Sequence, residues 1–148
     1  MAVRQVLVRG SPDEVWLVLA DGYAYAHWVL GTGNIRSVDA NWPELGSSIY
    51  FTVGQRWLQL QDRTTVRVIE PGRRLELEAH ALRLGTARVA IQLIPWGRDT
   101  LVVLDEHPVS GPGSRMHSWV VELLLHLRNR KMLTDLARVV QGRHRQAL

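Results

Sequence analysis

The chain contains no cysteine among its 148 residues, so the sequence excludes disulfide bonds and thiolate chemistry. It also lacks any apolar run near the roughly 20 residues that a membrane-spanning helix requires. The N-terminal segment MAVRQVLVRG alternates in polarity instead of forming the apolar core of a signal peptide. We therefore expect a cytoplasmic protein with no integral membrane segment.

Lysine is almost absent, and the positive charge is confined to one end of the chain. The formal net charge of +4 comes from 18 basic and 14 acidic residues, and Lys131 is the only lysine. Residues 128–145 hold six basic residues and one acidic residue, while the remaining chain holds 12 basic and 13 acidic residues. We interpret this segment as a solvated helix end, where cations suit the helix dipole, followed by a flexible basic tail over 142–148. Binding to an anionic membrane or to nucleic acid is the less favoured interpretation, and no nucleic-acid partner is predicted.

Motifs for metal, nucleotide and nucleophile sites are also missing. The six histidines include no pair at the i,i+4 spacing of a helical zinc site. The segment GTGN lacks the rest of a dinucleotide fingerprint, and GPG and GSR read as turns rather than as nucleophile elbows. We predict no metal and no cofactor.

Local patterns predict a single domain over residues 1–148 that begins with one strand and two short helices. Alternation predicts a strand over 2–9. Ser11, Pro12 and Glu14 have the spacing of an N-cap, a first helical residue and a capping box. This helix is expected to end at Gly22 with a positive φ, and YAYAHWV predicts a second short helix.

Six further strands joined by short turns indicate an antiparallel meander. Gly54 and Gly72 mark turns, and the segment HPVSGPGS is expected to break the sheet before a long helix over 114–141. Each strand has one apolar face, which this helix would cover. The predicted strands lie near residues 35–38, 48–53, 56–70, 75–79, 86–94 and 100–106. The expected architecture is an α+β fold with about seven strands.

Strand parity places two carboxylates, Asp62 and Glu106, on the apolar inner face. A carboxylate there is costly unless it is paired, hydrogen-bonded or neutral. Contact with a ligand, acid–base catalysis, a buried salt bridge and, for Asp62, a bulge that turns it outward all remain open. The inner-face residues around them are Leu58, Leu60, Thr64, Val66, Val68, Leu77, Val89, Val102 and Leu104.

Aromatic residues cluster after the first helix, where they either line the mouth of a cavity or fill the core. Tyr and Trp suit an entrance because each has an apolar body and a polar tip. The long helix would add an apolar and a polar residue to the far wall. The residues assigned to these walls are Tyr23, Tyr25, His27, Trp28, Trp42, Tyr50, Trp57, Leu125 and Asn129.

The ordered set of motifs SPDEVW, YAHWV, VIEPGRRLEL and LVVLDEHPVSGPG, followed by a long helix, resembles the SRPBCC superfamily. This superfamily includes START domains, birch-pollen-allergen-like proteins and polyketide cyclases/dehydrases. The resemblance implies a helix-grip fold, in which a curved antiparallel sheet and a long C-terminal helix enclose a cavity. It also implies a cavity ligand such as a lipid, sterol, quinone, hormone or polyketide.

Three functions remain open at this stage. The first is binding or transport of a small hydrophobic ligand in the internal cavity. The second is a cyclase or dehydrase type of enzyme that uses an inward carboxylate, Asp62 or Glu106. The third is an interaction module, and a homodimer is compatible with all three.

Overall fold

The computed structural model describes residues 2–29, 34–55, 58–80, 86–110 and 119–147, and the side chains of 3–29, 34–52, 61–80, 86–106 and 130–146. A single 3-10 turn, Gly22–Ala24, leads directly into the second helix. The elements are β1 (Ala2–Val8), α1 (Pro12–Leu19), α2 (Tyr25–Trp28), β2 (Ile35–Val38), β3 (Ser48–Gln55), β4 (Leu58–Glu70), β5 (Arg74–His80), β6 (Thr86–Trp96), β7 (Asp99–Ser110) and α3 (Trp119–Ala147).

The described strands form one seven-stranded antiparallel sheet in the order β1-β7-β6-β5-β4-β3-β2. The predicted α+β class and antiparallel meander are therefore confirmed. The N-terminal strand closes the sheet beside the last strand, and Val6 lies opposite Val102. This pairing places β1 at one edge of the sheet, with β2 at the other.

The predicted cap of α1 is present. The backbone N–H of Glu14 donates to Ser11 Oγ, and the backbone N–H of Ser11 donates to Glu14 Oε1, each at 3.2 Å. The predicted positive φ at Gly22 is wrong. Gly22 begins the 3-10 turn and is not among the described glycines with positive φ. A Cβ at Gly22 would lie 2.5 Å from Val38 Cγ1, so a close approach to β2 requires glycine here.

The core lies between the inner face of the sheet and α3. Leu75, Leu77, Ile91 and Leu104 from the sheet are almost completely buried, and so is Leu136 from α3. The helix also contacts β1, α1 and α2. Burial of each large aliphatic side chain contributes about 1.5–3 kcal/mol, so this layer fixes the helix on the sheet.

A bulge in β4 corrects the predicted inner face. The register between β4 and β5 shifts between Val66 and Val68, so Val66 lies opposite Leu77 and Ile69 lies opposite Leu75. Ile69 consequently packs against the core, and Val68 faces the other side with Glu76. Strict alternation cannot anticipate such an extra residue.

Three predicted boundaries are also wrong. Gly54 lies within β3 opposite Gln59, and β7 continues to Ser110, because both segments find ladder partners on a neighbouring strand. The helix α3 continues through Ala147, so residues 142–147 are helical rather than a flexible tail. Ion pairs hold this end, since Arg143 lies 2.7 Å from Asp21 and His144 pairs with Glu14. The predicted helix start at residue 114 lies outside the described residues.

Candidate functional site

A small cavity lies between α2, the middle of the sheet and α3. The described walls leave a void of about 10 Å³, which is the room of about one water molecule. Four residues assigned to the site from the sequence line it: Tyr25, Trp28, Leu77 and Val89. The other lining residues are Val29, Ala79 and Met132. Ala79 lies two residues after Leu77, so the alternation of the strand predicts that both face inward, and both line the cavity.

Two hydroxyl groups form the polar part of this interior. Tyr25 Oη and Thr64 Oγ1 are 2.9 Å apart, and both residues are buried. Tyr25 reaches this position because the capped turn at Asp21 leads directly into α2. Its ring meets Trp28 edge-on at 5.5 Å between centroids and lies 5.9 Å from Phe51. These contacts orient the tyrosine hydroxyl toward β4.

Trp28 contributes a buried hydrogen-bond donor. Its side chain is 3% exposed, and in the described part of the chain Nε1 has no hydrogen-bond acceptor. A buried donor without an acceptor costs about 1–3 kcal/mol, so an acceptor supplied from the adjoining cavity would stabilise this N–H.

Glu106 is a buried carboxyl group on the inner face of β7. It is 2% exposed and lies opposite Val89, one of the residues that line the cavity. Cross-strand partners on one face have Cβ atoms about 4.5–5.5 Å apart, so Glu106 adjoins this wall. A buried carboxyl requires hydrogen bonding, a counter-charge or a proton. Glu106 is therefore the acidic group best placed to act on something held inside.

Asp62 lies elsewhere. The register pairs it with Phe51, but its side chain is half-exposed and its Oδ1 accepts a 2.8 Å hydrogen bond from the backbone N–H of Arg63. It contributes to a shallow depression with Arg36 and His80. Three strand spacings, about 14 Å, separate β4 from β7, so Asp62 and Glu106 do not form a catalytic pair across adjacent strands.

The remaining predicted residues that the structure describes do not line this cavity. Tyr23 is 64% exposed, His27 is exposed, and Tyr50 lines the shallow depression beside Asp62. Trp42 donates from Nε1 to the carbonyl of Leu19 at 3.3 Å and thereby holds the β2–β3 loop against α1. Leu104 belongs to the core. The side chains of Leu60, Trp57, Leu125 and Asn129 lie outside the described residues.

The described part of the chain contains no cluster of three or more potential metal-ligating side chains. Among the same residues, no helix combines the length and hydrophobicity needed to cross a membrane. The polar groups described in and beside the cavity are two hydroxyls, an indole N–H and a carboxyl, set among apolar residues.

Solved structures share this architecture over nearly the whole chain. Protein NE0264 from Nitrosomonas europaea matches with a TM-score of 0.74 and 15% identity over 96% of this chain and 94% of its own. Ara h 8.0201 matches with a TM-score of 0.70 and 8% identity over 95% of this chain and 96% of its own. The two-domain ARO/CYC protein StfQ of the steffimycin biosynthetic pathway matches at a TM-score of 0.70 and 10% identity, and the chain spans 50% of its length.

No protein-family model matches the chain, and no curated protein sequence matches it. The similarity to solved structures therefore defines the fold. The chain has the helix-grip fold that its motif order predicts.

Proposed function

We propose that the protein binds a small, largely apolar ligand between the inner face of the sheet and α3. The observation that carries this proposal is that Tyr25 and Trp28 bring polar atoms to a cavity otherwise lined by apolar residues, with Thr64 hydrogen-bonded to Tyr25. Ligand sites combine apolar walls with a few convergent polar groups that fix the orientation of the ligand. The helix-grip neighbours add support at the level of the fold alone.

Occupation of this site requires the walls to move apart, because the described void holds about one water molecule. The helix α2 has four residues and no side-chain cap at its start. Met132 adapts readily because its side chain is unbranched. We therefore assign the opening movement to α2 and Met132, with Trp28 offering its N–H to an acceptor on the ligand.

A decisive experiment is native mass spectrometry of the protein purified from its own host. Ala79→Phe fills the space beside the cavity, and we expect it to abolish a bound mass that the unchanged protein retains. Ala90→Phe is the matched control, because Ala90 lies opposite Glu76 on the outer side of β6. A bound mass that survives in Ala79→Phe, or an unchanged protein that carries none, contradicts the proposal.

A second candidate function is an acid–base enzyme, and the burial of Glu106 beside Val89 favours it. A buried acid can exchange a proton with a ligand from which water is excluded. Glu106→Gln keeps the shape and removes the acid. Turnover of the ligand identified above should then fall while its binding persists, whereas unchanged turnover leaves only the binding function.

A cytoplasmic location and a homodimer remain predictions about the whole protein. Val3 and Leu7 give the outer side of β1 two exposed apolar residues at the edge of the sheet. Light scattering after size-exclusion chromatography measures the oligomeric state directly. A monomer at high micromolar concentration would remove the homodimer from consideration.

A further inference from the structure

A second and larger concavity lies at the end of the molecule where β1, the β6–β7 turn and α3 meet. Its volume is about 740 Å³, and we call it the arginine cleft. Arg9 follows β1, Arg98 lies in the β6–β7 turn, and Arg145 lies in the last turn of α3. Three elements that are distant in sequence therefore direct one arginine each to the same cleft.

Within the part of the chain that the structure describes, these three guanidinium groups lack carboxylate partners. Among the described residues, no carboxylate oxygen lies within 4.0 Å of Arg9, Arg98 or Arg145. By contrast, Arg67 pairs with Glu78 at 3.1 Å and Arg143 pairs with Asp21 at 2.7 Å. The cleft thus concentrates positive charge that no described carboxylate contacts.

The cleft also contains two acidic residues, which differ in whether another side chain binds them. Glu14 is held by the backbone N–H of Ser11 and by His144, so its charge serves the contact between α1 and α3. Asp99 also lines the cleft, without an ion pair among the described residues. The cleft therefore contains three arginines and one carboxylate, Asp99, that has no ion pair among the described residues. This excess of positive charge favours the binding of an anion.

Hydrogen bonds hold the three arginine-bearing elements in fixed relation. Thr100 Oγ1 donates to the carbonyl of Gly10 at 2.8 Å, which joins the start of β7 to the residue after Arg9. The backbone N–H of Arg9 donates to Gln141 Oε1 at 3.2 Å, which joins the same segment to α3. The backbone positions of the arginines are therefore set before any ligand arrives.

We propose that the arginine cleft binds a phosphate monoester group. Guanidinium groups present paired N–H donors that match phosphate oxygens, and three of them suit a dianion with three terminal oxygens. A volume of about 740 Å³ falls in the range of small-molecule sites. Asp99 remains available to accept a hydrogen bond from a hydroxyl elsewhere on the ligand. This site is independent of the interior cavity.

The test is a calorimetric titration of the full chain with phenyl phosphate at low and physiological salt. Arg98→Ala and Arg145→Ala should each weaken binding about 5-fold or more, because each removes a charged hydrogen-bond donor from an exposed position. Arg138→Ala is the matched control: it removes the same charge from α3, but Arg138 lies near Asp135 and outside the cleft. Its affinity should stay within about 2-fold of the unchanged protein.

A second arm distinguishes a soluble phosphate ester from a lipid headgroup. Phosphatidylcholine vesicles with and without phosphatidic acid are sedimented with the protein and the same three variants. Binding to phenyl phosphate that depends on Arg98 and Arg145 supports a soluble ligand, and binding to phosphatidic acid alone with the same dependence supports a headgroup. Failure of both probes, or an equal loss in Arg138→Ala, overturns the proposal.

Discussion

The hydroxyl pair of Tyr25 and Thr64 shows how one buried hydrogen bond links a helix to the sheet. The 2.9 Å contact spans 39 residues of sequence and joins α2 to β4. Removal of either partner leaves the other hydroxyl buried with a lost hydrogen bond, whereas removal of both leaves an apolar contact. The pair therefore matters for stability as well as for a ligand.

Tyr25→Phe and Thr64→Val should each lower the free energy of unfolding by about 1–2 kcal/mol. The double variant should lose less than the sum, because the two single changes remove the same hydrogen bond. Urea denaturation of the four proteins measures this coupling. Strictly additive losses would mean that the two hydroxyls act independently, in disagreement with the observed contact.

At the scale of an element, the end of α3 is fastened to the start of α1. His144 contacts the same glutamate that completes the capping box of α1, and Arg143 pairs with Asp21 at its other end. The composition of residues 142–148 suggested a solvated tail, because the partners of these basic residues lie more than 120 positions away in the sequence. Tertiary ion pairing of this kind has no local signature.

This contact predicts a specific acid sensitivity. Hydrogen bonds from His144 and from the backbone of Ser11 lower the pKa of Glu14 below its ordinary 4.5. A lowered folded-state pKa stabilises the protein above the unfolded value, and this contribution is lost as the pH falls through the folded value. Glu14 is partly exposed, so we expect an effect below about 1 kcal/mol.

Urea denaturation at pH 6 and pH 3 should therefore show a smaller loss of stability on acidification for Glu14→Gln than for the unchanged protein. Glu78 contributes in the same direction, because its hydrogen bond with Arg67 also lowers its pKa, so part of the acid dependence remains. Glu44→Gln, on an exposed loop, serves as the control. An identical acid dependence in Glu14→Gln and Glu44→Gln would contradict the role of the His144 contact.

At the scale of the whole molecule, local signals predicted the elements and tertiary contacts decided the exceptions. The Ser11–Glu14 cap and the period-two strands depend on neighbouring residues, and both are present in the structure. The bulge that turns Ile69 instead of Val68 toward the core depends on the register with β5, and only the assembled sheet determines that register. The same holds for the site. Alternation indicated the inward orientation of Glu106, but it could not indicate that the Trp28 N–H has no acceptor among the described residues, or that Asp62 is half-exposed.

The first strand, β1, is held in place by both β7 and α3. Val8 is completely buried in the core that includes Val140 of α3, whereas Val3 on the same strand is 50% exposed. Val8→Ala removes two buried methyl groups and should lower the free energy of unfolding by about 1.5–2.5 kcal/mol. Val3→Ala should change it by less than about 0.5 kcal/mol.

Thermal and urea denaturation of both variants compare the two faces of one strand directly, and equal effects would mean that β1 is not anchored by its inner face. If Val8→Ala alone is costly, the inner face of β1 holds the first strand in the core that it shares with α3.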